Sequence, residues 1–212
     1  MDLNCPSVNL TGSHHADAER WYAFVDEALR LDSSRCGTYV LAAAVVEEAD
    51  RPRLREAMRA MLLGRQPWLH WRDEAPSRRR LVAKVVAELG CLHLVVVGAP
   101  MRQHSQERSR HKCLERLLVE VDAIGVDLVM LESRQSRLNA ADLAVVEAFR
   151  GQRLIRRDLR VEHGYPTGEH ANPELWVSDA VAGAVRAAYG LGTDEYLTIL
   201  KPCLDLIEIT LE

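Results

Sequence analysis

The strongest constraint on this chain is a pair of short, almost wholly apolar runs, Leu92 to Val97 and Leu128 to Leu131, separated by a stretch of helical length. Side chains alternate faces along a strand, so a run with hardly a polar member is buried on both faces. The cover has to be helical: two Phe and 5% aromatics leave Ala, Val and Leu to build the core, a composition that argues against an all-β sandwich. With 212 residues and 48% hydrophobic content, one sizeable core is within reach. The expectation is a single α/β domain over residues 20–212. Residues 1–19, polar and without an apolar period, read as a flexible N-terminal leader.

The rest of the pattern agrees. Trp21 to Val25 reads as a first strand ended by Asp26-Glu27, and Thr38 to Val46 as its antiparallel hairpin partner. Pro52 opens a helix carrying Leu54, Ala57, Met58, Met61 and Leu62, closed by Gly64. Pro67 to Trp71 is a short aromatic strand candidate. Helices are expected from Pro76 to Leu89, from Ser105 to Asp122 and from Glu174 to Tyr189, with another strand over Arg157 to Glu162. Asn139 looks like the N-cap of a helix with Asp142 in its first turn, and the tail from Glu195 has mixed character.

Several function classes are excluded or weakened. The five cysteines are scattered and form no zinc knuckle or redox dithiol. No apolar run reaches the roughly 18 residues of a membrane span, which points to a cytoplasmic protein. No glycine-rich phosphate loop is present, so a small-molecule phosphate enzyme is the weakest reading. A net charge of −4 gives no global pull toward nucleic acid. Local clusters remain, at Arg150, Arg153, Arg156, Arg157 and Arg160 and at Arg102, Arg108, Arg110 and Lys112, although solvated faces would also account for them.

Acids in apolar company carry more information, because a buried carboxylate must be neutralised, hydrogen-bonded or bound to a cation. Asp26 shares a strand face with Tyr22 and Phe24, and Glu27 falls on the other; a polar turn would also explain the pair. Glu132 ends an apolar strand, where α/β sheets meet ligands, unless it is a turn residue paired with Arg134. Asp179 is the sharpest, on a helix apolar nearly all round, with Leu175, Ala182 and Gly183 one turn away. Carboxylates converging from separate elements suit Mg²⁺ or Mn²⁺, and two such ions about 3.5–4 Å apart can hydrolyse a phosphodiester. His70, between Trp68 and Trp71, and Asp73 could both approach such a site.

The order of Phe24-Val25-Asp26-Glu27-Ala28, Leu69-His70-Trp71, Leu131-Glu132-Ser133-Arg134 and Leu175 to Ala184 resembles the ribonuclease-H-like superfamily. Within it, residues 21–190 are similar to the bacterial family called domain of unknown function 3800. Members show Asp-Glu-Ser-Gly and Leu-Gln-x-Ala-Asp motifs; here Ala28-Leu29 replace Ser-Gly, and Ser178 replaces the Ala before the last Asp. The resemblance implies a mixed sheet flanked by helices on both faces. It further implies a Mg²⁺- or Mn²⁺-dependent nuclease acting on RNA or DNA, with Asp26, Glu132 and Asp179 as metal ligands and His70 or Asp73 assisting. Arg134, Arg153, Arg156, Arg157 and Arg102 would contact phosphates. The alternative is a non-catalytic module that binds nucleic acid or a protein partner in a defence or mobile-element system.

Overall fold

In the computed structural model, which describes residues 19–33 and 35–211, Trp21–Leu31 (β1) and Cys36–Glu47 (β2) pair antiparallel along their whole lengths. Residues 1–18 of the expected leader lie outside the described residues. The hairpin read from the sequence is present, but β1 does not end at Asp26-Glu27. Asp26 lies opposite Ala42 in mid-ladder, because β2 offers a continuous partner for the backbone groups that follow.

Four further strands, Leu92–Arg102 (β3), Leu128–Glu132 (β4), Arg160–Gly164 (β5) and Leu204–Thr210 (β6), complete a sheet of order β5-β4-β1-β2-β3-β6. β2 is antiparallel to both neighbours and the other pairings are parallel. Among the described residues six α-helices accompany it: Arg51–Ala60 (α1), Pro76–Glu88 (α2), Gln106–Ala123 (α3), Ser136–Gly151 (α4), Leu175–Leu191 (α5) and Glu195–Leu200 (α6). Buried residues of α1, α2, α5 and α6 pack with Tyr22 and Phe24 on one face; those of α3 and α4 pack with Ala23 and Val25 on the other. The expected α/β architecture, a mixed sheet with helices on both faces, is what the chain forms.

Three local readings need correction. Pro67 to Trp71 joins no strand; it is an irregular segment entering a 3-10 turn at Trp71–Asp73. Trp71 is buried by packing instead, its ring edge-on to Tyr196 at 5.1 Å, while Trp68 is half-buried. Asn139 is not an N-cap, since α4 starts at Ser136; its side chain accepts from the Arg134 N–H at 2.8 Å and donates to Ser133 Oγ at 2.9 Å. The tail forms α6 and β6, and β6 is an edge strand whose exposed and half-buried residues leave no apolar run to read.

Two devices seat α5 on the sheet. Glu174, buried at its N-terminus, accepts from Arg51 Nε at 3.0 Å and Arg55 Nε at 2.7 Å. Arg51 in turn lies 4.4 Å over the Tyr22 ring. Farther along, Gly183 leaves room for Trp71: a Cβ there would stand 2.2 Å from Trp71 Cδ1. Replacing a helical Gly by Ala ordinarily gains about 1 kcal/mol. Overpacking against a buried, ring-stacked Trp costs about 1–3 kcal/mol and outweighs it. Gly183→Ala is therefore expected to lower stability in urea unfolding; a more stable variant would contradict this packing.

Candidate functional site

β4 is five residues long and stops at Glu132, whereas β1 continues to Leu31. Past the end of β4, one edge of β1 is free to border a cleft of about 350 Å³. Phe24 pairs with Met130 and Val25 with Leu131 in parallel, so the next step of the register sets Asp26 beside Glu132. Both sit on the face covered by α5, and α5 brings Asp179. The three acids singled out in the sequence thus line one cleft, with His70, Arg72, Arg110, Arg134 and Arg186 also on its walls.

Bringing these acids together is electrostatically unfavourable. Removal from water pushes the Asp26 carboxyl well above the usual range, and the charges of Glu132 and Asp179 push it further. Glu132 is raised by burial and then by Asp179. The contact between the two carboxyls acts in opposite senses, raising Asp26 and lowering Glu132. Asp179, 14% exposed in its side chain, has Oδ2 engaged by the Trp71 N–H at 2.7 Å and by His70 Nδ1 at 3.0 Å. Its Oδ1 has no hydrogen bond among the described residues. The hydrogen bond to Asp179 raises His70, which is itself 38% exposed.

On the opposite face the sequence pattern misses the principal residue. Arg110, expected on a solvated basic helix, is buried and bridges Glu27 and Asp142. It holds Asp142 in bidentate fashion, Nε at 3.0 Å and Nη2 at 2.9 Å, and Arg134 Nη2 adds a third contact at 2.9 Å. Burial alone would raise Asp142, but the nearby His163 ring, 3.5 Å away, the hydrogen bonds from Arg110 and the two guanidinium charges hold it well below the usual carboxylate range. Tyr39 donates to Glu27 at 2.7 Å, so Glu27 borders the cleft but is engaged from the far face, as strand alternation requires. A polar residue inside a basic stretch gives no sign that its partners lie on β1 and α4.

Other expected site residues are elsewhere. Arg134 pairs with Glu107 at 2.8 Å and with Asp142, not with Glu132, so a turn ion pair does not account for Glu132. Asp73 is exposed and does not line the cleft. Arg102 ends β3, seven residues past Val95, which lies level with Asp26 through Ala42; that is about 20 Å along the strand. Arg153, Arg156 and Arg157 precede β5 at the end of the sheet away from the acids. Arg156 is tied there to Asp122 Oδ1 at 2.7 Å and the Val126 carbonyl at 2.7 Å. Only Arg134 of the five expected phosphate contacts borders the cleft.

Among the described residues no three His, Cys, Asp or Glu side chains are already set around an ion. The donor set nonetheless suits a hard divalent cation: three carboxylates, two of them raised by burial and by their neighbours' charge. No family model matches the sequence, and no curated protein is similar to it, so the likeness to the domain of unknown function 3800 rests on the motifs alone. Solved structures do match. Ribonuclease H2 from Pyrococcus horikoshii OT3 is 15% identical with a TM-score of 0.53, over 80% of this chain and 73% of that one. Bst-RNase HIII in complex with Mn²⁺ is 13% identical with a TM-score of 0.52, over 82% of this chain but only 54% of its own. At these identities the match defines the fold, and the fold is ribonuclease-H-like. No helix among the described residues is long and apolar enough to cross a membrane.

Asp142→Asn removes the charge that compensates the buried Arg110 guanidinium, and the expected loss is about 3–5 kcal/mol at neutral pH. A carboxyl depressed in the fold stabilises fully above its unfolded pKa of about 3.9 and loses that contribution as pH falls toward its folded value. Urea titrations should therefore show the gap between wild type and variant constant above about pH 5 and shrinking below pH 4. A gap that stays unchanged down to pH 3 would contradict the ion pair.

Proposed function

We propose that this chain is a metal-dependent nuclease that hydrolyses phosphodiester bonds of RNA or DNA. The observation that carries the reading is the forced meeting of Asp26, Glu132 and Asp179 at one cleft, where Asp26 and Glu132 are raised by burial and by their neighbours' charge. Natural folds avoid uncompensated buried carboxylates, so a group of them in an open cleft points to a cation as the missing partner. Likeness of fold to Bst-RNase HIII, whose structure is a complex with Mn²⁺, supports the same reading.

Asp26, Glu132 and Asp179 would hold Mg²⁺ or Mn²⁺. When bound, a pair of such ions supplies an activated water and stabilises the leaving oxygen. Asp26, whose proton affinity is raised by burial and by the charges of Glu132 and Asp179, would have to be ionised to hold the cation. Trp71 N–H and His70 fix Asp179 by one oxygen, which leaves the other for the metal side. His70 has its proton affinity raised by Asp179 and borders the cleft, so it is the side chain placed to carry a proton to a departing oxygen. Arg134, anchored by Glu107 and Asp142, offers a fixed positive charge for a phosphate. The departures from the family pattern around Ala28 and Glu132 keep a metal-independent binding module as the competing reading.

Mn²⁺ at about a hundred times its Kd is expected to stabilise the wild-type fold by about 2.7 kcal/mol, read as a higher Tm. Asp26→Asn and Asp179→Asn should abolish that shift and reduce Mn²⁺-dependent cleavage of RNA or DNA by about a hundredfold or more. In metal-free buffer at pH 7, Asp26→Asn should be at least as stable as wild type: a carboxyl raised in the fold destabilises as pH rises from its unfolded value through its folded one. Wild-type protein that binds nucleic acid, ignores Mn²⁺ and cleaves nothing would replace the nuclease by the binding module.

A further inference from the structure

The cleft changes sign along its length. Asp26, Ala28 and Arg30 share one face of β1, and Asp179, Gly183, Arg186 and Gly190 form one stripe of α5, at steps of four, three and four residues. The two rows run in the same direction. Their acids meet at one end; at the other, the Arg30 side chain lies across Gly190, where an added Cβ would come 2.5 Å from Arg30 Cδ and 3.1 Å from Nη1. Arg186 and Arg72 line the cleft wall on that side. Seven residues of helix separate Asp179 from Arg186, about 10 Å.

Many arginines of this chain are neutralised, and Arg79 is held by the Trp71 and Arg72 carbonyls. Arg51, Arg55, Arg78, Arg110, Arg134 and Arg156 each pair with a carboxylate. Among the described residues Arg30, Arg72 and Arg186 have no such partner, and Arg30 Nη1 is buried without any hydrogen-bond acceptor. Leaving a buried donor unmade costs about 1–3 kcal/mol, more when it is charged. Burial, then the charges of Arg72, Arg79 and Arg30, pull the Arg186 guanidinium below its usual range. Solvation explains exposed Arg72 but not the buried Nη1 of Arg30, nor the gathering of Arg30, Arg72, Arg79 and Arg186, where Asp179 is the acid that acts on Arg186 and none forms an ion pair among the described residues. Guanidinium groups present paired donors that match phosphate oxygens.

We infer that Arg72 and Arg186 on the cleft wall, backed by the Arg30 guanidinium across Gly190, form a phosphate subsite, which holds a backbone phosphate of a nucleic-acid strand running along the cleft from the carboxylate end. The identity of the ligand as a strand rests on the nuclease reading; the anion site itself rests on the arginines. Such a contact sets the position of the strand without reading bases.

The test is fluorescence anisotropy of a short single-stranded oligonucleotide in EDTA, where no cleavage occurs. Arg186→Gln and Arg72→Gln are each expected to weaken binding by about tenfold. Each should also flatten the dependence of log K on log salt by about 0.7. Arg72 is exposed, so its variant is a readout free of folding effects. Arg116→Gln, on α3 and paired with Glu120, should change nothing. Unchanged affinity and salt slope in both Arg72→Gln and Arg186→Gln, or no wild-type binding, would overturn the subsite. Full displacement of the oligonucleotide by millimolar inorganic phosphate would overturn the strand and leave a site for free phosphate. Arginine-dependent binding in a protein that Mn²⁺ does not activate would overturn the nuclease reading and keep the subsite.

Discussion

The parallel register of β1 and β4 places two carboxylates side by side in a partly buried position, and much of the molecule can be understood as accommodating that. Asp26 and Glu132 meet because Val25 pairs with Leu131 and the ladder advances by one residue. β4 then stops while β1 continues, which opens the cleft in front of them. α5 closes the remaining side with Ala and Gly where its backbone approaches the sheet, and adds a third acid. The meeting of Asp26 and Glu132 opposes folding electrostatically, as their raised carboxyls show. Structures keep such strain where it serves a site.

Behind the site the opposite arrangement holds. Arg110, with its side chain 3% exposed, is surrounded by Glu27 and Asp142, and Arg134 binds the same Asp142. This network draws Glu27 to the far face of β1 while Asp26 stays on the near one. Adjacent acids on one strand therefore have separate duties: Glu27 satisfies a buried cation and Asp26 faces the cleft. Arg110 also lowers Asp26 slightly against the larger effects that raise it, so the positive charge is felt through the sheet without being neutralised there.

What the sequence revealed follows from how local each signal is. Apolar runs and helical periods depend on near neighbours, so the strands at Leu92 and Leu128, the β1–β2 hairpin and the principal helices were legible. Asp179 stood out because a lone acid on an apolar helix violates a local rule. The extra length of β1 was hidden, since Asp26-Glu27 looks like a strand end until β2 is known to pair beyond it. The segment at Trp71 has strand composition, but the Trp71 ring finds its burial on Gly183 and Tyr196 rather than in a ladder. Arg110 and Arg186 were invisible for the same reason: their importance lies in partners, or missing partners, on other elements. Charge clusters read from adjacency alone misled, and Arg153, Arg156 and Arg157 lie at the wrong end of the sheet for the acids.

The fold places the chain among ribonuclease-H-like structures, and the central claim is that its three cleft acids are there for a cation. The most direct measurement is anomalous diffraction from crystals soaked in Mn²⁺. A peak bounded by the carboxylates of Asp26, Glu132 and Asp179, with oxygen ligands at about 2.0–2.2 Å, is the expected result. Crystals that take up Mn²⁺ elsewhere and none between these carboxylates would contradict the account.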